Sequence, residues 1–451
     1  LADLQARAER SFAAVRAAVG SLEAGGHLRE VTRFWIVNGF AAFADAAACA
    51  RLAAMEEVGF VYRQRGPSGL VQGRAGAGGR GRRATAGRGE LAGTLAKRDA
   101  LVEGPFSADG LDVPWNLKKV RADAAWRDHG ATGAGVVVAV LDTGLLPLPP
   151  LVPALWRNRG ETLDGRDNDG NGYVDDVFGY DFAADSPECL GDGERPHGTM
   201  CASIIAGRPH GTPRTVTGVA PRASLMVLRG GGQLAAYEYA ARHGADVLSM
   251  SYMWIDEELG HYRGVYRTAH EHLAALGVLS LGGAGNFGRS HPANRQIAVP
   301  KDIPCVLAVA GIGADGTRPA FGSEGPVLWS GVRFYDDHPA SAPLRKPDLT
   351  ACNSDIPVWG RLAFPNARIL QDLGNGTGLI TGPRGNSFAG PHVAGVAALV
   401  WSVEPELTAF ELAELLTGTA QDLGPEGPDT TYGAGLVQAD AALRAARARR
   451  R

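Results

Sequence analysis

Short apolar runs alternate with amphipathic stretches along most of the chain, from about residue 105 to residue 445. The runs are rich in Val, Leu and Ala and have the length of buried strands, whereas the stretches between them carry the spacing of helices. The predicted strands are 135–141, 224–228, 246–251, 277–281 and 305–310, and the predicted helices are 198–206, 233–243, 264–276 and 387–401. Strands joined by helical crossovers predict an α/β fold, with a doubly wound, mostly parallel sheet and helices on both faces. Functional residues of such folds follow the carboxyl ends of the strands.

Residues 1–62 carry a different pattern, which predicts a small α+β domain ahead of the large one. An apolar run at 31–37 predicts a strand, an Ala-rich stretch at 43–55 predicts a helix, and the run at 58–62 predicts a second strand. The expected unit is therefore strand, helix, strand.

Residues 63–104 separate these two parts. They are rich in Gly and Arg and have no apolar period, so they predict a flexible basic linker. The alternative is RNA binding through the Arg-Gly tract, although the tract lacks the interleaved aromatic residues of such segments. The large domain is expected to cover 105–445, and the basic residues 446–451 are expected to form a solvated tail.

Composition narrows the classes of function. The chain has 451 residues, of which 45% are hydrophobic and 21% charged, which excludes a wholly disordered protein. A net charge of −3 gives no general attraction to nucleic acid, so no nucleic-acid partner is expected. No apolar run reaches the roughly 18 residues that a membrane-spanning helix needs. The five cysteines form no CxxC pair, which argues against a zinc site and a disulfide framework but leaves one bridge open.

Three short motifs lie at strand ends or helix starts. Asp142 precedes Thr-Gly after the first predicted strand, and by itself it would satisfy turn amides. His197 precedes Gly-Thr at a helix start, and by itself it would be a hydrogen-bonded structural residue. Ser387 lies in the segment GNSFAGPHVAG at another helix start, where Ser387 or Asn386 is a good N-cap. The same position can present a nucleophile and bind an oxyanion with free amides.

With these motifs in the order Asp142, His197, Ser387, residues 112–445 resemble the subtilisin-like serine proteases, or subtilases (peptidase family S8). The resemblance implies a subtilisin-like fold and an endopeptidase that forms an acyl-enzyme on Ser387 without a cofactor. His197 would be the general base, and Asp142 would orient it. Asn286, in the segment GAGN, would donate to the oxyanion together with the Ser387 backbone N–H. Two alternatives stay open, a dedicated maturation protease for one partner peptide and a catalytically silent subtilase-fold binding module.

Subtilases bind an extended polypeptide substrate as an added strand. The residues that match the two binding edges are Gly231, Gly232, Ser251, Tyr252, Met253 and Gly285. Met253 stands where the family usually has Gly, which predicts a narrowed pocket for the residue before the scissile bond. The loop between Arg229 and Gln233 is also short, so both features leave the specificity open.

The first 62 residues resemble the subtilase propeptide. The resemblance implies an intramolecular chaperone and inhibitor that is removed by self-cleavage within 63–105, with a second protease cutting at Arg82-Arg83 as the alternative. The expected partners are therefore polypeptide substrates and the chain's own propeptide, and a monomer is expected. A propeptide favours a secreted enzyme, because an active general protease is dangerous inside its own cell.

An acidic loop between Asp142 and His197 matches the first six positions of an EF-hand loop. The candidate ligands of a structural Ca²⁺ are Asp167, Asp169, Asn171, Asp175 and Asp176. Position 12 is Phe178 rather than Glu, so the last two aspartates would have to close a shorter oxygen cage. The alternative is a solvated Asp/Gly-rich turn.

Cys201 lies four residues after His197 and therefore on the same face of the predicted helix. We expect a small buried side chain. The alternative is a thiol that senses redox state or binds soft metals, and we expect sensitivity to mercurials.

Overall fold

The computed structural model of the chain describes residues 1–62, 84–101, 104–191, 196–230, 232–255, 259–362, 364 and 366–449, with only the backbone of 84–87. The strands are β1 (Leu28–Phe34), β2 (Gly39–Ala44), β3 (Val137–Asp142), β4 (Gly179–Asp181), β5 (Ser224–Arg229), β6 (Val247–Met250), β7 (Leu279–Gly283), β8 (Leu307–Ile312), β9 (Leu349–Cys352), β10 (Val358–Arg361), β11 (Arg368–Gly374) and β12 (Thr377–Thr381). The helices are α1 (Ala2–Ala24), α2 (Ala46–Ala53), α3 (Ala84–Asp99), α4 (Trp115–Lys119), α5 (Ala122–His129), α6 (His197–Ala206), α7 (Leu234–Arg242), α8 (Arg263–Ala275), α9 (Ala389–Trp401), α10 (Ala409–Gly418) and α11 (Ala439–Arg449).

A seven-stranded sheet forms the centre of the large domain. Its strand order is β4-β5-β3-β6-β7-β8-β9, and every neighbouring pair is parallel. All five strands predicted from the apolar runs belong to this sheet, and the predicted doubly wound α/β fold is confirmed. The strand order changes direction around β3, which places a crevice at the carboxyl ends of β5, β3 and β6.

Two apolar cores cover the two faces of this sheet. One core contains residues of α6, α9 and α11, and the other contains residues of α7 and α8. All thirteen residues of α9 are buried, which explains why its sequence is apolar on every side rather than on one stripe. A separate antiparallel sheet in the order β10-β12-β11 lies outside the predicted elements.

The N-terminal unit differs from the predicted strand-helix-strand arrangement, which was wrong. It consists of α1, an antiparallel β1–β2 hairpin and α2. Residues 35–38 turn the chain, and Asn38 adopts a φ of +49°, a conformation that asparagine tolerates better than most residues. The Asn-Gly pair at 38–39 is a hairpin signal that the apolar run concealed. Residues 58–62 form no strand and contact the large domain instead.

The N-terminal unit docks on the outer helices α7 and α8. The backbone N–H of Ile36 donates to Oε1 of Glu238 at 2.9 Å, and Nδ1 of His272 donates to the carbonyl of Ile36 at 2.5 Å. Phe34 and Ile36 are buried in the same core as these helices. The turn of the hairpin therefore supplies both polar and apolar contacts to the large domain.

The linker prediction is wrong for residues 84–99, which form α3. Leu91 of this helix is buried, and Nε of Arg98 donates to the carbonyl of Leu155 at 2.7 Å. A few contacts of this kind hold the helix although it lacks an apolar stripe. Residues 63–83, 102 and 103 lie outside the described residues. At the other end, α11 continues through Arg449, so most of the predicted solvated tail is helical.

All five cysteines are free thiols, so the one disulfide that the sequence left open is not formed. Within the part of the chain that the structure describes, no helix combines the length and the apolar character of a membrane span.

Candidate active site

Asp142 and His197 are brought together by the end of β3 and the start of α6. The backbone N–H of Gly198 donates to Oγ1 of Thr143 at 3.0 Å, which ties the two motifs together. A Cβ at position 198 would lie 2.2 Å from the carbonyl oxygen of Gly144, so this close approach requires glycine. Nδ1 of His197 lies 2.8 Å and 3.0 Å from the two carboxylate oxygens of Asp142, and we describe it as the donor.

This contact sets the charge of both groups. Burial opposes ionisation of Asp142, but the charge and hydrogen bond of the His197 imidazole lower the pKa of Asp142 below its usual value. Burial also acts to lower the pKa of His197, yet the Asp142 carboxylate raises that pKa well above 6.5. The pair can therefore stabilise an imidazolium that has accepted a proton.

Ser387 lies in a 3-10 turn, Asn386–Phe388, immediately before α9. The predicted N-cap at Ser387 or Asn386 was wrong, because the helix begins at Ala389 and its N-cap is Phe388, which makes no side-chain cap. The turn leaves Ser387 half-buried, with its carbonyl accepting a hydrogen bond from Oγ of Ser251 at 3.0 Å. The hydroxyl is thus left free for chemistry rather than used as a cap.

Ser387 and His197 are held in the same cluster. The ring of Phe388 lies 5.6 Å from the ring of His197, and Sγ of Cys201 lies 3.8 Å from Nδ1 of His197 and 3.6 Å from the carbonyl oxygen of Ser387. Among the described residues, the Ser387 hydroxyl has no hydrogen-bond partner, His197 included. Catalytic hydrogen bonds are frequently long before substrate binds, so this geometry is compatible with a serine–histidine pair.

Cys201 is buried, as the sequence predicts, and burial raises the pKa of its thiol. Its Sγ also lies 3.6 Å from Oγ of Ser251. One thiol atom, one imidazole nitrogen of His197 and one carboxylate oxygen of Asp142 lie within 4.8 Å of one another. The thiol is therefore in contact with the proposed base, although it is a neutral, buried group.

Asn286, the predicted oxyanion donor, is an exposed residue that is fixed through its side-chain oxygen. Its Oδ1 accepts a hydrogen bond from the backbone N–H of Asn386 at 2.8 Å, which leaves the exposed Nδ2 free to donate. If residue 385 carried a Cβ, that atom would lie 3.3 Å from Nδ2 of Asn286. Nδ2 therefore lies beside the residue that precedes Asn386. The side-chain Nδ2 of Asn386 donates to the carbonyl of Gly285 at 2.8 Å and locks the two segments together. Asn386 thus connects the segment of Ser387 to the segment of Asn286 through two hydrogen bonds.

The predicted binding edges extend from β5, β6 and β7. Ser251, Tyr252 and Met253 are half-buried and follow β6, and Gly285 follows β7 with a φ of +113°. Gly232 follows β5, and Gly231 lies outside the described residues. The described members of this set therefore lie at the carboxyl ends of β5, β6 and β7, and Ser251 contacts Ser387 directly.

Trp254 was missed by the sequence reasoning. Its indole ring would lie 2.5 Å from a Cβ at Gly232, so the side chain reaches from one binding edge to the other. The hydroxyl of Tyr266 donates to the carbonyl of Gly232 at 3.0 Å from below. No motif marks Trp254, but its place directly after the predicted edge residues was a usable signal.

The acidic loop brings together only part of the predicted calcium ligands. Asp169 and Asp176 approach Glu161, with ligand oxygens within 4.8 Å of one another, and Glu161 was not among the candidates. Nδ2 of Asn171 donates to Asp169 and Asp176 and is therefore used inside the cluster. Burial raises the pKa of Glu161 and raises the pKa of Asp176 to about 6, so the cluster gains from a cation or a shared proton. The three carboxylates come from separate positions along the loop and meet only in the folded chain.

The other two candidates face elsewhere. Asp167 accepts hydrogen bonds from the backbone N–H groups of Asn171 and Gly172, as an aspartate in a turn does. Asp175 is paired with Arg88 of α3 at 2.8 Å. A cation held by all five predicted residues is therefore inconsistent with this arrangement.

Comparison with known proteins agrees with this geometry. The sequence model described as the subtilase family (Peptidase_S8) matches residues 133–435. Subtilisin DY of Bacillus licheniformis is 27% identical over 344 residues, covering 73% of this chain and 98% of that protein. Mycosin-1 of Mycobacterium tuberculosis is 31% identical over 361 residues, covering 74% of this chain and 73% of that protein. The crystal structure of MycP1, with its N-terminal propeptide removed, is 27% identical and covers 74% of this chain and 97% of its own, with a TM-score of 0.50.

The matched segment carries Asp142, His197, Asn286 and Ser387 and spans most of the parallel sheet. The chain therefore belongs to the subtilase family of serine proteases.

Proposed function

We propose that this subtilase is an endopeptidase that hydrolyses peptide bonds through an acyl-enzyme on Ser387. The observation that carries the proposal is the 2.8 Å contact of His197 Nδ1 with Asp142, because it leaves Nε2 to accept the Ser387 proton. Proton transfer would allow the hydroxyl oxygen to attack the substrate carbonyl carbon. The Asn286 amide and the Ser387 backbone N–H would then bind the oxyanion that forms.

Collapse of the tetrahedral intermediate would return the proton from His197 to the leaving amine and leave the acyl group on Ser387. A water molecule, deprotonated by the same imidazole, would then release the second product. Asp142 acts in both halves by holding the imidazole tautomer and stabilising its charged form. Every protein group in these steps belongs to this chain.

Labelling with a fluorophosphonate, together with casein cleavage, tests this proposal. We expect the intact chain to be labelled and Ser387→Ala to lose both labelling and cleavage. Ser290→Ala is a matched control, because Oγ of Ser290 lies 2.8 Å from Nδ1 of His291 at an exposed site and is also a serine–histidine pair. Labelling that survives in Ser387→Ala would refute Ser387 as the nucleophile. An unmutated enzyme that is never labelled would favour the catalytically silent binding module.

We also propose that residues 1–62 act as a propeptide. A run of ring contacts supports this role, because Tyr62 packs on Tyr262, Tyr262 packs on Tyr266, and Tyr266 binds the Gly232 carbonyl of the substrate edge. Tyr62 is therefore linked to the proposed substrate edge by a continuous run of contacts. We further propose that the enzyme is exported, because a propeptide keeps a general protease inactive inside its own cell, and that it is a monomer.

Terminal sequencing during activation tests the propeptide. We expect the unmutated chain to lose residues 1–62 through a cut within 63–105 in parallel with the gain of activity, whereas Ser387→Ala keeps Leu1 as its first residue. Fully active enzyme that still begins at Leu1 would contradict the proposal. Removal in Ser387→Ala as well would point to a second protease.

The restricted cleft favours a dedicated maturation protease as a second candidate. Trp254 reaches across to Gly232, and Met253 stands where the family usually has Gly. Cleavage of a peptide library tests this candidate. Cuts at one or a few related sequences would support it, and broad cleavage would exclude it.

A structural calcium ion remains a proposal and is restricted to Glu161, Asp169 and Asp176, the carboxylates that the structure brings together. These hard oxygen donors suit Ca²⁺ and have no part in the chemistry at Ser387.

A further inference from the structure

Residues 296–301 lie against both predicted substrate-binding edges, and we take this segment as the floor of the pocket for the residue before the scissile bond. This segment joins the two rims of the pocket. The backbone N–H of Trp254, on the β6 side, donates to the carbonyl of Val299 at 2.9 Å. On the β7 side, a Cβ at Gly285 would lie 3.1 Å from the carbonyl oxygen of Gln296. A side chain that enters between the rims therefore points toward this segment.

Lys301 ends the floor segment and is almost completely buried, with 1% of its surface exposed. Its Cε lies 2.7 Å from the place of a Cβ at Gly282, and its Nζ lies 4.8 Å from the centre of the Tyr252 ring. The ammonium group is thus located between the ends of β6 and β7, beneath a predicted substrate-binding residue. Only a glycine at 282 leaves room for the lysine stem.

This ammonium group has no hydrogen-bond acceptor among the described residues. The nearby carboxylates do not pair with it, since Asp302 binds Arg263 at 2.8 Å and Asp142 binds His197. Burial lowers the pKa of Lys301 to about 7, although Asp142 and Asp302 act in the opposite direction. A buried cation without an acceptor is unfavourable, and an incoming anion would relieve that cost.

The aromatic and imidazole groups around Lys301 offer no such anion. The hydroxyl of Tyr252 is hydrogen-bonded to the hydroxyl of Tyr237, and Nδ1 of His270 lies 3.0 Å from Oγ of Ser280. Burial, together with the charge of Lys301, lowers the pKa of His270 to about 3, so this imidazole is neutral at ordinary pH. No anion among the described residues binds this ammonium group, so an incoming carboxylate would supply the missing acceptor.

We propose that Lys301 is a specificity-determining residue, which selects substrates with an acidic side chain immediately before the scissile bond. This inference rests on the proposed endopeptidase function. A glutamate is favoured over an aspartate, because the carboxylate has to pass the rim at Tyr252 and Met253 to reach the floor. Met253 has three rotatable side-chain bonds and can give way without a change of the backbone.

Four peptides that differ only in the residue before the scissile bond, Glu, Gln, Leu or Lys, test the proposal through kcat/KM. A hydrogen bond to a charged group changes kcat/KM by about 10- to 150-fold, so the unmutated enzyme should cleave the Glu peptide better than the Gln peptide by that factor. Lys301→Met keeps a long unbranched side chain but removes the charge. It should reduce the Glu-to-Gln ratio of kcat/KM to within about 3-fold. The Glu peptide should therefore lose more activity than the Gln and Leu peptides.

Lys118→Met is the matched control, because it removes a positive charge at an exposed helix position and should leave the Glu-to-Gln ratio unchanged. Should Lys301→Met lower the melting temperature too far, Lys301→Arg keeps the charge and should retain the preference. A ratio of one or less in the intact chain, or a ratio that Lys301→Met does not change, overturns the inference. If Ser387 is not labelled and no peptide is cut, the endopeptidase proposal itself has failed.

Discussion

Asn286 offers the sharpest test of the oxyanion site, because its two side-chain atoms have separate tasks. Oδ1 accepts the Asn386 backbone N–H at 2.8 Å, and the exposed Nδ2 is left to donate. Asn286→Leu has nearly the same shape but neither atom. Asn286→Asp keeps the acceptor and puts a negative charge where the donor was.

The expected loss follows from this geometry. A hydrogen bond to a charged group contributes about 1.5–3 kcal/mol, which corresponds to a fall in kcat of about 10- to 150-fold for Asn286→Leu. The observed range for removing such a donor, about 10² to 10³, comes from a subtilisin, a member of this family. KM should change little, because the donor acts on the charge that develops in the transition state. Asn286→Asp should be at least as impaired, since its charge repels the oxyanion.

The assay is steady-state cleavage of one good peptide, with the melting temperature measured in parallel. Asn286→Leu also leaves the Asn386 N–H without its acceptor, which costs about 1 kcal/mol of stability. Because kcat is measured on folded enzyme, this loss is separate from the catalytic effect. A kcat within 3-fold of the intact chain in both variants would refute the assignment of Asn286 as an oxyanion donor.

Three further predictions concern pH, the thiol and calcium. His197 must be neutral to act as a base, so kcat/KM should rise with pH through the pKa of His197, which Asp142 raises well above 6.5. Asp142→Asn should move the midpoint of this rise to lower pH and reduce kcat by about 10⁴. An unchanged midpoint would contradict the pairing of Asp142 with His197. A small mercurial should inactivate the enzyme through Cys201, and Cys201→Ala should stay active and resistant; equal inactivation of both would exclude this thiol. Calcium should raise the melting temperature at pH 8 more than at pH 5, because burial raises the pKa of Asp176 to about 6 and protonation of Asp176 removes a ligand. Asp176→Asn should abolish this shift in melting temperature. No shift in the unmutated chain would rule out the ion.

The sequence by itself determined the parallel sheet and the three motifs of the proposed triad. Buried parallel strands must be continuous apolar runs, so each one is visible without its neighbours, as in 135–141 and 305–310. The glycine at 198 and the small residues around Ser387 are equally readable, because close backbone approach excludes larger side chains. The N-terminal unit was harder to predict. Its apolar run continues to residue 37, so the sequence suggests one strand where the structure has a strand followed by the turn at 35–38.

Only the tertiary structure decided which distant side chains share a site. Glu161 joins Asp169 and Asp176, and Arg88 takes Asp175, through contacts that no spacing along the chain encodes. Lys301 appears in the sequence as an ordinary charged residue in a loop, but the folded chain buries it beneath Tyr252. The physical reason is that local patterns report the backbone conformation and burial of their own segment, whereas charge pairing and pocket chemistry depend on which segments the sheet places side by side.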